Sequence, residues 1–246
     1  MDIVLIPGLW LDGSSWNEVT PALEQAGHRA HPLTLPGMES RDADRSEITL
    51  RDHVDAVVAV IDSLDGPVVL VGHSGGGPIA YAAADVRPDR VARLIYVDSW
   101  PNGPGQCIND SLPAEGGEVP LPDWSEFDDE DLVDLDDDRR AAFRDRAIPS
   151  PVQVARGAQQ LSDERRYDVP ATIIACEFTG AQLREWLAQG EPSLQEIAKL
   201  RDVTYVDLPT GHWPQFTRPA DLGQTIVSIA GPRLSAPGGT CRSVDL

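Results

Sequence analysis

Short runs of apolar and β-branched residues recur along the chain at residues 3–6, about 29–33, 68–71, 93–97, 172–176 and 203–208. Between them lie stretches in which apolar residues are spaced by three and four, as amphipathic helices require. The clearest spans residues 50–64, where Val54, Val57, Val58 and Ile61 share one face; residues 15–26 form a second. Gly27 and Gly66 then end these helices before the next strand. Strand runs alternating with helices predict an α/β fold, a mostly parallel sheet flanked by helices, and no internal repeat interrupts it.

The alternation fails between Trp100 and about Tyr167, so residues 101–167 are expected to form an insertion lying over the sheet as a cap. Within it, "DWSEFDDEDLVDLDDD" carries ten carboxylates in the sixteen residues from position 123 to 138. It lacks the D-x-D-x-D-G spacing of a calcium loop, and a solvated, mobile surface is the expectation. Residues 232–246 are rich in Gly, Pro and Ser without apolar periodicity and predict a disordered tail. The folded domain is therefore placed at residues 1–231.

At 246 residues and 41% hydrophobic composition the chain can bury a substantial core as one domain. No apolar run approaches the twenty or so residues of a membrane span, and the short N-terminal run lacks the basic region of a secretory signal, so a cytoplasmic protein is expected. The formal charge of −20 repels phosphate backbones and anionic lipid, which argues against nucleic-acid and membrane partners. Cys107, Cys176 and Cys241 are odd in number and have no C-x-x-C spacing, which fits neither a disulfide framework nor a zinc site.

Candidate chemistry centres on "VVLVGHSGGGP", residues 68–78. Gly75-x-Gly77-x-x-Ala80 loosely resembles a dinucleotide-binding turn with Asp98 downstream for a ribose. Its first glycine does not follow the strand directly, however, and a whole βαβ portion precedes it. Gly72-His73-Ser74-Gly75-Gly76 instead has each part of a nucleophile elbow: an apolar strand, small residues two before and two after Ser74, and a helix with Pro78 tolerated in its first turn. The N-terminal "IPGLWLDGSSW" has P-loop spacing from Gly8 to Gly13, but Ser14 stands where the phosphate-binding lysine would be. Read as a loop beside the elbow, it offers the Leu9 N–H, which together with the Gly75 N–H could hold a developing oxyanion; Trp10 is a second donor candidate and a pocket-lining one.

A serine hydroxyl needs a base. Of five histidines, His28, His31 and His53 sit on or beside regular elements, and His73 lies inside the elbow with its ring directed away from Ser74. His212, on the loop after the last strand, is the candidate. Trp10, Trp100 and Trp213 neighbour these positions in sequence and are expected to line an apolar pocket.

"IPGLWLDGSSW", "VLVGHSGGGPIAYAAA" and "LPTGHWPQFTRPADL" resemble the oxyanion loop, nucleophile elbow and histidine loop of the α/β-hydrolase superfamily, in particular its small esterase and hydroxynitrile-lyase-like members. The resemblance covers about residues 1–231. It implies a six-stranded core and a serine hydrolase of carboxylic esters, lactones or related carbonyl compounds that uses neither metal nor cofactor. A small-molecule substrate is the expected partner, with a homodimer as the assembly to test for.

The superfamily usually carries its triad acid on the loop after the strand "ATIIAC", and there Thr179 occupies the aspartate position. Asp98, at the end of the strand following the nucleophile helix, is where some members take the acid, and it is the assignment made here. Glu177 is the alternative, with its side chain expected beside the strand end and away from His212. Trp213 after the histidine, where a cyanohydrin lyase would have lysine, argues against that activity. Serine at position 74 argues against a dehalogenase or epoxide hydrolase. A C–C bond hydrolase of 1,3-diketone-like compounds and a non-catalytic ligand-binding protein are the competing readings.

Overall fold

In the computed structural model, which describes residues 1–231, the strands follow the order of the apolar runs. β1 (Asp2–Ile6), β2 (Arg29–Pro32), β3 (Val68–His73) and β4 (Val91–Val97) precede the insertion. The insertion contributes the small antiparallel pair β5 (Glu118–Val119) and β6 (Ser150–Pro151), and β7 (Ala171–Ala175) and β8 (Val203–Asp207) follow it. The main sheet has the order β2-β1-β3-β4-β7-β8 with every neighbouring pair parallel. The tail expected at 232–246 lies outside the described residues.

Side chains alternate across each strand, and both faces of this sheet are covered. Ile3 and Leu5 of β1 join Val69, Val71, Ile95 and Val97 on one face, against α1 (Thr20–Gln25) and Leu222 and Ile226 near the C-terminus. Val4, Ile6, Leu70, Leu94 and Tyr96 point the other way, against α2 (Leu50–Ser63) and α3 (Gly76–Val86). Two-sided burial is why the strands read as unbroken apolar runs. The α2 helix starts at a capping box in which Thr49 and Asp52 exchange hydrogen bonds, and it buries the four residues its periodicity singled out. The helix expected over residues 15–26 is shorter. A 3-10 turn at Gly13–Trp16, capped by Asp12, comes first, and α1 starts where Pro21 falls in its first turn, the one helical place that tolerates a missing N–H.

The insertion adds α4 (Asp137–Arg146) and α5 (Val152–Arg156), and the chain closes with α6 (Gly180–Ala188), α7 (Pro214–Thr217) and α8 (Pro219–Ala230). A third apolar cluster joins the insertion to the sheet loops: Trp10, Val119, Leu132, Leu135, Phe143 and Trp213 are all buried together. The acidic run is solvated on its outer side and apolar on its inner one. Most of its carboxylates are exposed, and Leu132 and Leu135, three residues apart, bury themselves in this cluster. Among the described residues no helix is long and apolar enough to cross a membrane.

The turn from β3 into α3 leaves no room for side chains at its two ends. A Cβ on Gly76 would lie 2.5 Å from the Ile6 carbonyl oxygen, and one on Gly72 would lie 2.4 Å from the Gly76 carbonyl oxygen. Backbone cannot give way as a side-chain tip can. Gly76→Ala is therefore expected to destabilise the fold by roughly 1–3 kcal/mol, read as a lowered midpoint in urea denaturation. An unchanged midpoint would show that β1 and α3 approach less closely than described.

Candidate active site

Three loops at the carboxyl ends of β1, β3 and β4 place Trp10, Ser74 and Asp98 side by side, and all three have left-handed backbone, with φ of 66°, 49° and 45°. Among the described residues only Asp134 shares that conformation without being glycine. Each such residue costs on the order of 1–3 kcal/mol, so the strain is concentrated at one place. Local hydrogen bonds hold it there. The Ser74 N–H donates to Val97 O (3.1 Å), and the Ser74 carbonyl accepts from Gly77 N–H (2.9 Å) and the Ser99 hydroxyl (2.6 Å).

His212 follows β8 on a loop clamped from both sides. Its N–H donates to the Asp131 carbonyl (2.8 Å), and the neighbouring Gly211 N–H to Val133 O (3.3 Å). A Cβ on Gly211 would lie 2.3 Å from that Asp131 oxygen, so only glycine allows the acidic run to approach this closely. From the sheet side, His73 Nε2 meets the His212 carbonyl at 2.7 Å. A carbonyl only accepts, so His73 carries its proton on Nε2, leaving Nδ1 to accept from the Gln215 side-chain amide (3.2 Å). Burial, with His212 nearby, pushes the His73 imidazole down to about 3 and keeps it neutral.

The imidazole of His212 bridges two groups. Nδ1 lies 2.7 Å from Asp98 Oδ2 and Nε2 lies 2.8 Å from Ser74 Oγ. Because a carboxylate accepts, Nδ1 bears the proton, and the neutral ring offers the Nε2 lone pair to the serine hydroxyl. The Asp98 side chain is fully buried, and its other oxygen accepts from the N–H groups of Cys176 (3.0 Å) and Glu177 (3.3 Å) at the end of β7. Thr179, where the superfamily's usual acid would stand, caps α6 through a reciprocal pair of hydrogen bonds with Gln182.

Glu177 is closer than expected. Its Oε2 lies 3.7 Å from His212 Nδ1, too long for a hydrogen bond but not directed away, because the Asp98 interaction with the Glu177 N–H turns the strand end toward the histidine. Burial first, then a hydrogen bond to Asp131 that favours the protonated form and the charge of Asp98, push its carboxyl up to about 10. Asp98, Glu177 and His212 each present one potential metal-ligand atom within 4.8 Å of the others, but the Asp98 and His212 atoms already bond to each other.

A cavity of about 530 Å³ opens over Ser74 and His212, within the range of small-molecule sites. Trp10 and Trp100 line it. Trp213 does not. It is 1% exposed and packs edge-on against Trp124, Phe127 and Phe143, with ring centroids 5.2–5.9 Å apart, so it anchors the insertion to the histidine loop instead of facing a ligand. The Trp10 N–H is engaged by Ser150 Oγ (2.9 Å), whereas the Leu9 and Gly75 N–H groups have no acceptor in the protein among the described residues. Sequence reasoning missed the insertion's contributions to the cavity: Ile108, Asn109, Glu126, Phe127 and Asp131. No local pattern marks them, although the apolar Leu132 and Leu135 inside the acidic run signal that it docks somewhere.

Comparison with known proteins agrees with the fold. A sequence model described as the alpha/beta hydrolase family matches residues 3–224. Methylesterase 9 of Arabidopsis thaliana is 24% identical, with 92% of this chain and 97% of that protein aligned. A pyrethroid hydrolase of Sphingobium wenxiniae is 34% identical over 105 residues, which cover 42% of this chain and 38% of that protein. A carbendazim hydrolyzing esterase of Nocardioides sp. is 32% identical over 46% of this chain and 47% of its own length. With both of these, the aligned part spans less than half of the relative. Among solved structures, an extracellular alpha/beta-hydrolase from a Paenibacillus species superposes with a TM-score of 0.75 over 93% of this chain and 98% of its own, at 21% identity, a likeness of fold.

The protonated Glu177 has a consequence for stability. Its carboxyl ionises near 4.5 when unperturbed and near 10 in the folded protein, so between those values the folded state binds the extra proton. This contribution is complete below about 4.5 and is lost as the pH rises toward 10. Glu177→Gln, which mimics the protonated form, is expected to flatten the alkaline decline in urea-unfolding free energy, whose slope for one proton is at most about 1.4 kcal/mol per pH unit. Parallel pH curves for the two proteins would mean that Glu177 is ionised in the native state.

Proposed function

The chain belongs to the alpha/beta hydrolase family, and from that premise we propose that it is a serine-dependent hydrolase of a carboxylic ester or lactone, working through an acyl-enzyme. The named relatives, a pyrethroid hydrolase, a carbendazim hydrolyzing esterase and methylesterases, are hydrolases or esterases by their names and support that reaction class. The observation that carries the reading is the unbroken chain from Asp98 Oδ2 through the His212 ring to Ser74 Oγ, 2.7 and 2.8 Å long.

In this mechanism Ser74 Oγ attacks the substrate carbonyl carbon while His212 Nε2 takes the hydroxyl proton. Asp98 holds the ring in the Nδ1–H form and stabilises the imidazolium. The carbonyl oxygen, now negative, lies toward the Leu9 and Gly75 N–H groups, each worth roughly 2.7–4 kcal/mol in the transition state. The imidazolium then protonates the departing alcohol, leaving the acyl group on Ser74. Water, deprotonated by His212, attacks the acyl carbon; the bond to Ser74 Oγ breaks, the imidazolium returns its proton to that oxygen, and the acid is released. The unengaged N–H pair favours this direction of attack, since the Trp10 N–H already has its partner in Ser150.

Turnover of p-nitrophenyl butyrate by the purified protein tests the proposal. Ser74→Ala and His212→Ala are expected to lower kcat by about 10⁴-fold or more and Asp98→Asn by about 10³–10⁴-fold, with Glu177→Gln staying within about tenfold of wild type. A fluorophosphonate probe is expected to label Ser74, as located by peptide mass spectrometry. Absence of both labelling and ester turnover would overturn the reading, and loss of activity in Glu177→Gln but not Asp98→Asn would move the acid.

A further inference from the structure

The charge of the candidate cavity is one-sided. Its lining includes the carboxylates of Glu126 and Asp131, beside the protonated Glu177 and the Asp98 that bonds to His212, and contains neither lysine nor arginine. Elsewhere in the same acidic run two carboxylates have cationic partners: Asp134 pairs with Arg218 and Asp136 with Arg139. Glu126 and Asp131 take part in no ion pair among the described residues, although Asp131 is only partly exposed. The cavity thus holds carboxylate charge that no cation of its own lining balances.

Aromatic surface accompanies that charge. Trp10, Trp100 and Phe127 line the same cavity, with Trp10 and Phe127 packed edge to face at 6.0 Å. Trp10 is pinned by its indole N–H to Val119 O (3.1 Å) and by its backbone to Ser150, so the ring is a fixed wall. Aromatic rings beside uncompensated carboxylates form an environment that attracts an organic ammonium and repels a carboxylate or phosphate. The raised Glu177 carboxyl agrees with this: burial and the neighbouring negative groups oppose adding another negative charge here.

We infer that the cavity selects cationic substrates, namely esters whose acyl or alcohol part carries an ammonium group seated among Trp10, Phe127, Glu126 and Asp131. The catalytic half of this inference rests on the ester-hydrolase reading; the binding half stands apart from it. Anionic acyl groups and phosphorylated carriers are excluded by the same charge.

Two measurements on the intact protein separate these halves. In calorimetry, choline is expected to bind about tenfold or more tightly than its neutral isostere 3,3-dimethylbutan-1-ol, and the difference is expected to shrink in about 0.5 M salt. In kinetics, kcat/KM for butyrylthiocholine is expected to exceed that for S-(3,3-dimethylbutyl) thiobutyrate by about tenfold or more, or, where the charge belongs on the acyl side, 4-(trimethylammonio)butyrate p-nitrophenyl ester to exceed p-nitrophenyl butyrate by a similar factor. The combined Glu126→Gln and Asp131→Asn variant is expected to bring these ratios toward one. Asp134→Asn, which changes the same run at an ion-paired position, is expected to leave them unchanged. Equal binding of choline and its isostere, with turnover ratios within about twofold in both series, would overturn the inference while leaving ester hydrolysis intact. Selective choline binding with no ester cleaved would instead uphold the cation site and defeat the hydrolase reading.

Discussion

The buried carboxylate of Asp98 is the constraint around which the site is arranged. An ion wholly removed from water costs several kcal/mol unless its lone pairs are met, and here three partners meet them. The Cys176 and Glu177 N–H groups come from the end of β7, and the His212 ring comes from the loop after β8. One side chain at the end of β4 therefore ties the two following strands together at their carboxyl ends. The left-handed backbone of Asp98 points it there, and the hydrogen bond from its own N–H to Ile174 O keeps β4 and β7 in register just before the turn.

His212 would still be a flexible loop residue if Asp98 were its only support. Its backbone is gripped by the neutral His73 below and by the acidic run above, and Trp213 locks the next position into the aromatic cluster of the insertion. The insertion thus does more than roof the cavity. Leu132 and Leu135 bury the inner side of a segment whose outer side is densely charged, and that amphipathic docking places Asp131 at the cavity while holding the histidine loop. Packing, loop geometry and electrostatics are carried by the same few residues. Changes in the insertion are consequently expressed at His212 as well as in the cavity lining.

The two sides of the chemistry were not equally legible in the sequence. The elbow around Ser74 is a local object: strand, glycines and helix adjoin one another, and Gly72 and Gly76 are demanded by contacts of 2.4 and 2.5 Å within that neighbourhood or against the adjoining β1. Thr179 could be seen to be the wrong residue for an acid, and its capping role with Gln182 is likewise local. The placing of Glu177 was not legible. Hydrogen bonds from the Cys176 and Glu177 N–H groups to Asp98, 78 and 79 positions away, hold the strand end beside the histidine loop. Trp213 was misjudged for a similar reason. Neighbouring a candidate histidine in sequence says nothing about which side of the backbone faces the cavity.

The order of apolar runs and helical periods determined a parallel α/β sheet, because burying both faces of a strand demands an unbroken apolar pattern that few other folds require. It also determined the serine and its turn, since steric exclusion acts between residues close in the chain. Tertiary structure alone decided which residues of the insertion reach the cavity and that its carboxylates lack cationic partners there. It also decided that Glu177 lies near His212 without bonding to it. Those outcomes depend on contacts between residues about seventy to eighty positions apart, such as Gly211 against Asp131 or Trp213 against Phe143. Charge and hydrophobicity read along the chain show how much of each is present; only the packed fold determines which groups share a low-dielectric space and therefore feel one another.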